Sequence, residues 1–496
     1  MPLSGAIERH AATRPTDPAF HLEDRVLSYA GLAATARQVF AGLATLAPEG
    51  RSSIGPENRL VAVATGNHAL FPAAFVAATA GNNCAALIDP HLPEAVRQRL
   101  IETLDPDIVV TVAGDGLHLR NPHSGAALIV TEVDACLHAP LPEGSDDAPF
   151  LIVFTSGTTA DPKPIIRDRR SWRISLATGA PFFGINAATS TYAPGPLAHG
   201  LALYAMTETL LAGGTFHSAR HFDATEGLET IRAEAVRRLV LVPTMLRRLC
   251  EGTPVESVEA VTVAGAKLTA ADHALCMKNF PKAALREYYG ASELGFITVT
   301  APGDAASSTA VGKAFPGVRP VVLDEAGKVL PAGETGTVFV ESPLISSGYL
   351  GAGDCAGLVR FGALATVGDL GFLDADGTLH LLGRSGGMVL SGGNNIYPSE
   401  VEAALLGLAG IRAAHVFGVE HADLGSELVA VIEPMAGSDP TAAALATAMA
   451  AVLPRYKQPR RIWLCLKMPV TPSGKVEART VRQWVAEGSD ALERLV

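Results

Sequence analysis

Cysteine is scarce in this chain: six residues among 496, at Cys84, Cys136, Cys250, Cys276, Cys355 and Cys465. No two form a C-x-x-C pair, and their scattered spacing supports neither a zinc module nor a disulfide framework, which leaves reduced thiols as the expectation. Lysine is scarcer than arginine: 9 of the 39 basic residues, with none before Lys163. Charged residues make up only 18% of the chain beside 48% apolar ones, a balance that excludes wholesale disorder. The formal charge is −11, which argues against a duplex-binding protein, since that needs a basic face. The longest apolar tract, 60–81, is interrupted by Asn67 and His68, which leaves pieces too short to span a bilayer. The opening Met-Pro-Leu-Ser-Gly lacks the basic and apolar regions of a signal peptide, so a cytoplasmic protein is expected.

What is present is a regular alternation. Short apolar runs at 60–64, 85–88, 108–112, 151–154, 239–242 and 261–264 read as buried strands. Amphipathic stretches at 31–46, 70–80, 224–234 and 270–280 read as the helices between them. Such alternation predicts βαβ units, with the chemistry on the turns at the carboxyl ends of parallel strands. After about residue 310 the texture becomes glycine-rich with closely spaced strands, which predicts an antiparallel, barrel-like piece. A Gly383-Arg384-Ser385-Gly386-Gly387 segment then precedes an α/β unit of its own. The expected fold is therefore α/β. A large N-terminal domain, residues 1–384, holds two βαβ-type sheets and the barrel-like piece. A small, mobile C-terminal domain spans 385–496.

One loop concentrates anion-binding groups. Phe154-Thr155-Ser156-Gly157-Thr158-Thr159-Ala160-Asp161-Pro162-Lys163 follows an apolar strand directly. Its hydroxyls, glycine and lysine supply donors at several angles around a tetrahedral anion. The spacing is not that of a Walker A loop. Four further segments follow in order: Tyr289-Gly290-Ala291-Ser292-Glu293, Val367-Gly368-Asp369-Leu370-Gly371, Ser391-Gly392-Gly393-Asn394-Asn395-Ile396-Tyr397-Pro398, and Pro472-Ser473-Gly474-Lys475.

Taken together, these segments resemble the adenylate-forming superfamily, which includes acyl-CoA and aryl-CoA synthetases, peptide-synthetase adenylation domains and firefly-type luciferases. The resemblance covers nearly the whole chain. It implies an acid–thiol ligase in which ATP converts a carboxylic acid to an acyl-adenylate, pyrophosphate leaves, and CoA takes the acyl group. Substitution of this kind at a phosphorus centre depends mostly on positioning and charge neutralisation.

The resemblance also implies roles. Thr155, Ser156, Gly157, Thr158, Thr159 and Lys163 would hold the β- and γ-phosphates. Gly265, Ala266 and Lys267 would border the adenine, with Tyr289 stacking on it and Tyr288, Gly290 and Ala291 beside it. Ser292 would touch the α-phosphate, and Glu293 would help hold Mg²⁺. Asp369 suits the two ribose hydroxyls, because a carboxylate accepts from both, and Arg384 would back it. Gly392 and Gly393 belong to the stretch joining the domains. Lys475 would bridge the attacking carboxylate and the α-phosphate.

The chain departs from the family pattern at Ala160, Pro164 and Gly386. Pro196-Leu197-Ala198-His199-Gly200 resembles a segment of CoA ligases, with His199 as a wall gating the acyl tunnel. Phe182, Phe183, Tyr204, Gly265, Lys267 and Phe296 are further candidate walls. No Asp lies between Asp168 and Asp223, which disfavours an amino acid as the substrate. The expected partners are ATP, Mg²⁺, a small carboxylic acid and CoA, with no nucleic acid, in a monomer or homodimer. Two alternatives stay open: transfer to a carrier-protein phosphopantetheine, and a nucleotide-binding protein of weak activity.

Overall fold

The computed structural model describes residues 2–48, 54, 58–136, 138–155, 162–304, 307, 309–351, 357–384, 387, 389–391, 394–421 and 424–495. A nine-stranded sheet runs across Lys313–Ala314, Gly295–Val299, Ala284–Ala291, Ala260–Ala264, Arg238–Leu241, Ser190–Tyr192, Thr215–Ser218, Pro18–Leu22 and Arg25–Ser28. Its six strands from Ala284–Ala291 to Pro18–Leu22 are parallel, and antiparallel strands close both edges. An eight-stranded sheet has four parallel strands at its centre: Pro149–Thr155, Cys84–Leu87, Leu60–Val63 and Ile108–Ala113. These central strands are mostly buried, apart from the end of Ile108–Ala113, which suits apolar runs without alternation. The helices Tyr29–Leu46, Phe71–Thr79, Arg169–Phe183 and Gly200–Ala212 bury their apolar faces in the core they share with both sheets.

Arg169 starts its helix fully buried, beside the beginnings of the strands Cys84–Leu87 and Pro149–Thr155. Its guanidinium donates to the carbonyls of Ala148, Pro149, Thr79, Gly81 and Asn83. Burial pushes that guanidinium down to about 10, and the carbonyl ring is what keeps a cation tolerable there.

The glycine-rich region forms six antiparallel strands in the path Val359–Phe361, Leu364–Thr366, Gly336–Glu341, Asp369–Leu373 and Leu379–Arg384, with Arg319–Leu323 alongside Gly336–Glu341. This is the antiparallel piece that the sequence reading expected to be barrel-like; among the described residues its pairings form a sheet without a closing pair. Asp374 to Gly377 is the hairpin turn between two of these strands, with Asp374 Oδ1 accepting from Thr378 N at 2.8 Å.

Residues from Val389 onward build two cores of their own on either face of a six-stranded sheet. The long hairpin Ile411–His421 and Gly425–Pro434 forms its spine, and helices Pro398–Leu406 and Ala442–Val452 cover one face. A helix at Ala478–Glu487, which the sequence reading passed over, covers the other. Of the expected linker, Ser385 and Gly386 lie outside the described residues. No helix among the described residues is long and apolar enough to cross a membrane. The five described cysteines are free.

Candidate active site

The site forms where the nine-stranded sheet's central strands end. Gly265 and Ala266 follow the strand Ala260–Ala264 and are exposed at its lip. Gly265 has φ +92, a conformation that costs an L side chain strain. Tyr289 and Gly290 lie at the end of the neighbouring strand, which doubles back through Ser292 and Glu293 into Gly295–Val299. That return is tight: a β-carbon on Gly290 would stand 2.5 Å from the Gly295 carbonyl oxygen, so only glycine fits.

The tight turn is held from behind by Arg167, 4% exposed, which donates from Nη1 to the Ser292 carbonyl (3.1 Å) and from Nη2 to the Leu344 carbonyl (2.8 Å). Burial pushes this guanidinium down to about 10, partly offset by the charges of Asp168 and Glu293. Glu293 itself is buried; its Oε1 accepts from Tyr349 Oη at 2.6 Å, and its carbonyl accepts from Ser346 N at 2.7 Å. Arg167 and Tyr349 are the supporting residues that sequence reasoning missed. Nothing local marks either one, because both act across the sheet edge.

Asp369, also buried, begins its strand after Gly368 (φ +81), and its Oδ2 accepts from Tyr289 Oη. Arg384 lies directly across from Asp369 in the antiparallel register, though its side chain lies outside the described residues. Thr155 and Lys163 pair in register as the ends of the two strands that flank the phosphate loop. Ser156, Gly157, Thr158 and Thr159, and likewise Gly392 and Gly393, lie outside the described residues, as does the Thr155 side chain.

Lysine 475 comes from the C-terminal unit. Its loop is closed by the Thr471 N to Lys475 O hydrogen bond (2.7 Å), and Gly474 has φ +78. Thr244 Oγ1 donates to the Gly474 carbonyl at 2.6 Å, docking the loop on the N-terminal part. Arg412 and Glu251 add an ion pair of 2.8 Å across the same divide. In this arrangement Lys475 Cε lies 3.3 Å from where a β-carbon on Gly265 would be. Lys475, Gly265, Tyr289 and Asp369 are thus joined by direct contacts or by neighbouring strand ends.

Other expected residues take different positions. Lys267 Nζ pairs with the buried carboxylate of Glu287 rather than opening onto the site, and Glu287 also accepts from Leu268 N. Ala291 pairs with Gly295 within the turn. His199 caps the helix Gly200–Ala212, and its Nε2 lies 2.8 Å from Asp89 Oδ2. Burial alone would raise the Asp89 carboxyl, but hydrogen bonds from His199 and from the backbone and ring of His91 hold it down at about 2. Asp89 lines a cleft of about 290 Å³ whose other walls include Arg220, Met245, Arg248, Thr471 and Gly474.

Tyr288, one residue before Tyr289, turns instead to a small buried space shared with Phe183, Leu201, Tyr204, Glu208, Arg238, Val240, Thr262 and Phe296. Phe183, Tyr204 and Phe296 meet there as ring contacts, while Phe182 is more exposed and packs on Phe183 and Phe315. The buried Glu208 and Arg238 were not expected. The signal for Glu208 was available, as it is the one charged residue in an otherwise uncharged helix.

Comparison with known proteins agrees with this geometry. Residues 7–350 match the AMP-binding enzyme family and residues 400–475 its C-terminal domain. The chain is 30% identical over 443 residues to the uncharacterized acyl–CoA ligase YhfT of Bacillus subtilis, covering 88% of this chain and 90% of that one. It is 28% identical over 332 residues to the 2-succinylbenzoate–CoA ligase of Enterococcus faecalis, covering 66% and 67%. Among solved structures, ATP-bound MatB from Rhodopseudomonas palustris superposes with a TM-score of 0.82 at 22% identity, over 97% and 98% of the two chains. O-succinylbenzoate coenzyme A synthetase from Bacillus subtilis in complex with AMP superposes at 0.80 and 22%, over 96% and 98%. The two family matches cover the large and the small part of the chain in turn, and the protein belongs to the family of AMP-binding enzymes.

Proposed function

We propose that this enzyme is an AMP-forming acyl-CoA ligase, with the domain division near 384/385. Its acid attacks the α-phosphorus of ATP, pyrophosphate departs, and the thiol of CoA then displaces AMP from the acyl-adenylate. The observation that carries this reading is Lys475 packed on Gly265, beside the Tyr289–Asp369 pair.

In this reading Tyr289 offers its ring to the adenine and fixes Asp369, whose carboxylate accepts from the ribose hydroxyls. Lys475 neutralises the charge that builds between carboxylate and α-phosphate, where a preorganised cation is most effective. The loop ending at Lys163 holds the outer phosphates. Glu293 fits a divalent cation: it is buried, Tyr349 occupies one of its oxygens, and a carboxylate keeps lone pairs for a second partner. Mg²⁺ bound through one carboxylate and substrate phosphates would screen the departing pyrophosphate. The cleft beside Asp89 and His199, between the two parts, offers the thiol its approach to the adenylate.

The named activities of the similar proteins support CoA as acceptor. The test is to present the purified chain with ATP, Mg²⁺ and a carboxylic acid panel, offering CoA or a holo carrier protein. Acyl-CoA formation supports the reading. Transfer to the carrier protein alone overturns the acceptor, and no pyrophosphate exchange with any acid overturns the activity.

A further inference from the structure

Glu208 is 1% exposed and Arg238 is 5% exposed, and they face each other beneath the helix Gly200–Ala212. Arg238 Nη2 lies 2.8 Å from Glu208 Oε2. Both Glu208 oxygens, Oε1 and Oε2, and Arg238 Nη1 are buried with no hydrogen-bond partner among the described residues, so the pair meets at ion-pair distance only. A different buried pair shows what a purely structural one looks like here. Arg247 meets Asp272 through two parallel hydrogen bonds (2.6 and 2.8 Å), and Thr269 adds its N–H and hydroxyl to the same carboxylate. Buried charges of this kind are normally supplied with hydrogen bonds on every side. The Glu208–Arg238 pair instead has open positions of both kinds, an acceptor and a donor.

These open positions line the small space walled by Phe183, Tyr204, Tyr288 and Phe296. It amounts to about 10 Å³, at the limit of one water molecule. Thr262, in its wall, lies three residues before Gly265 on one strand course, roughly 10 Å at the rise of a strand. An acid of about that length, with its carboxylate at Lys475 and its body along this strand, would bring its far end to the level of Glu208 and Arg238. On the helix Arg169–Phe183 the facing residue is Gly179, where a β-carbon would stand 3.3 Å from Glu208 Oε1. Tyr204 Oη stands 3.2 Å from the same point, so glycine at 179 leaves room for both groups.

Resting on the ligase reading, we propose that Glu208 and Arg238 form the floor of the acid-binding pocket and select a short acid ending in an uncharged hydroxyl or carboxamide. Such a group accepts from Arg238 and donates to Glu208, completing both at once. The floor is neutral as a pair, so a second carboxylate or an ammonium on the acid would bury a charge with no counter-ion. A methyl in the same place would leave both polar atoms unpaired, the situation in which a site rejects an analogue most strongly. Long alkyl chains are excluded unless Tyr288 and Phe296 move aside.

The test is ATP–pyrophosphate exchange by the full chain with acids matched in shape: 4-hydroxybenzoate, 4-methylbenzoate, terephthalate and 4-(aminomethyl)benzoate, and in parallel 4-hydroxybutanoate, pentanoate and glutarate. The expected result is a kcat/KM for a hydroxyl acid about a hundredfold or more above its methyl partner, with the charged acids lower still. In the double variant Glu208→Leu/Arg238→Met the preference should reverse toward the methyl acid, a change that loss of a merely structural pair would not produce. Should the double variant not fold, Glu208→Gln should lower the hydroxyl preference about tenfold. A folded wild type that exchanges with methyl or dicarboxylic acids as well as with hydroxyl acids overturns the inference while the ligase reading stands. A folded wild type that exchanges with no acid overturns the ligase reading itself.

Discussion

Lys475 reaches the N-terminal part of the chain at one glycine: its Cε lies 3.3 Å from the place a β-carbon on Gly265 would take. Gly265 also holds φ +92. The contact and the backbone together require a residue with no side chain. Gly265→Ala should therefore lower pyrophosphate exchange by about tenfold or more, adding roughly 1–2 kcal/mol of backbone strain. Wild-type exchange by this variant, measured on folded protein, would show that the lysine works from elsewhere.

Lys475→Ala should cost about 10²–10³ in the adenylation half-reaction, the usual loss when one group aimed at developing charge is removed. Thioester formation from a supplied acyl-adenylate should be largely retained. Equal losses in the two half-reactions would count against this assignment.

The docking contact makes a separate prediction. Thr244→Val removes the donor to the Gly474 carbonyl without changing the shape of the helix start. We expect slower exchange by severalfold and an unchanged rate of CoA attack. Single-turnover assays of each half-reaction give the answer, and a slower CoA step with normal exchange would reverse the assignment of this arrangement.

Lys267 should behave as a structural residue. Lys267→Met leaves the buried Glu287 carboxylate without its cation, a loss of about 3–5 kcal/mol for a buried pair. Urea unfolding should show it, with the KM for ATP changed little in the folded fraction. A large KM effect with normal stability would return Lys267 to the nucleotide.

The Asp89 carboxyl predicts a pH effect. Its folded value, about 2, lies below the ordinary ~3.9 of an unfolded aspartate. A depressed carboxyl stabilises the fold above the unfolded value, and that contribution is lost as pH falls through the folded one. Wild type should therefore lose stability between about pH 4 and 2, while Asp89→Asn, less stable at pH 7, should lose less over that interval. Parallel slopes in urea titrations would remove Asp89 from this role.

Much of this was legible in the sequence, for a physical reason. Parallel strands buried on both faces read as short apolar runs, so the runs at 60–64, 108–112 and 261–264 fall on strands at Leu60–Val63, Ile108–Ala113 and Ala260–Ala264. Tyr289 and Asp369 stood out in segments that resemble the family's motifs before their hydrogen bond was known. Contacts between distant segments left no such local mark. Arg167 behind Ser292, Tyr349 on Glu293 and Glu287 on Lys267 each join residues 20 to 125 positions apart. The antiparallel pairing after residue 310 was legible from strand spacing, which shows pairing but not closure. In searching the acid pocket for an Asp, the sequence reading passed over Glu208, the single charge in an otherwise uncharged helix.

The most direct test of the central claim is the nucleotide balance of the complete reaction. With ATP, Mg²⁺, CoA and an acid that supports exchange, phosphorus NMR should show one AMP and one pyrophosphate for each thioester formed. Stoichiometric ADP and inorganic phosphate would place the attack at the γ-phosphorus and contradict the account.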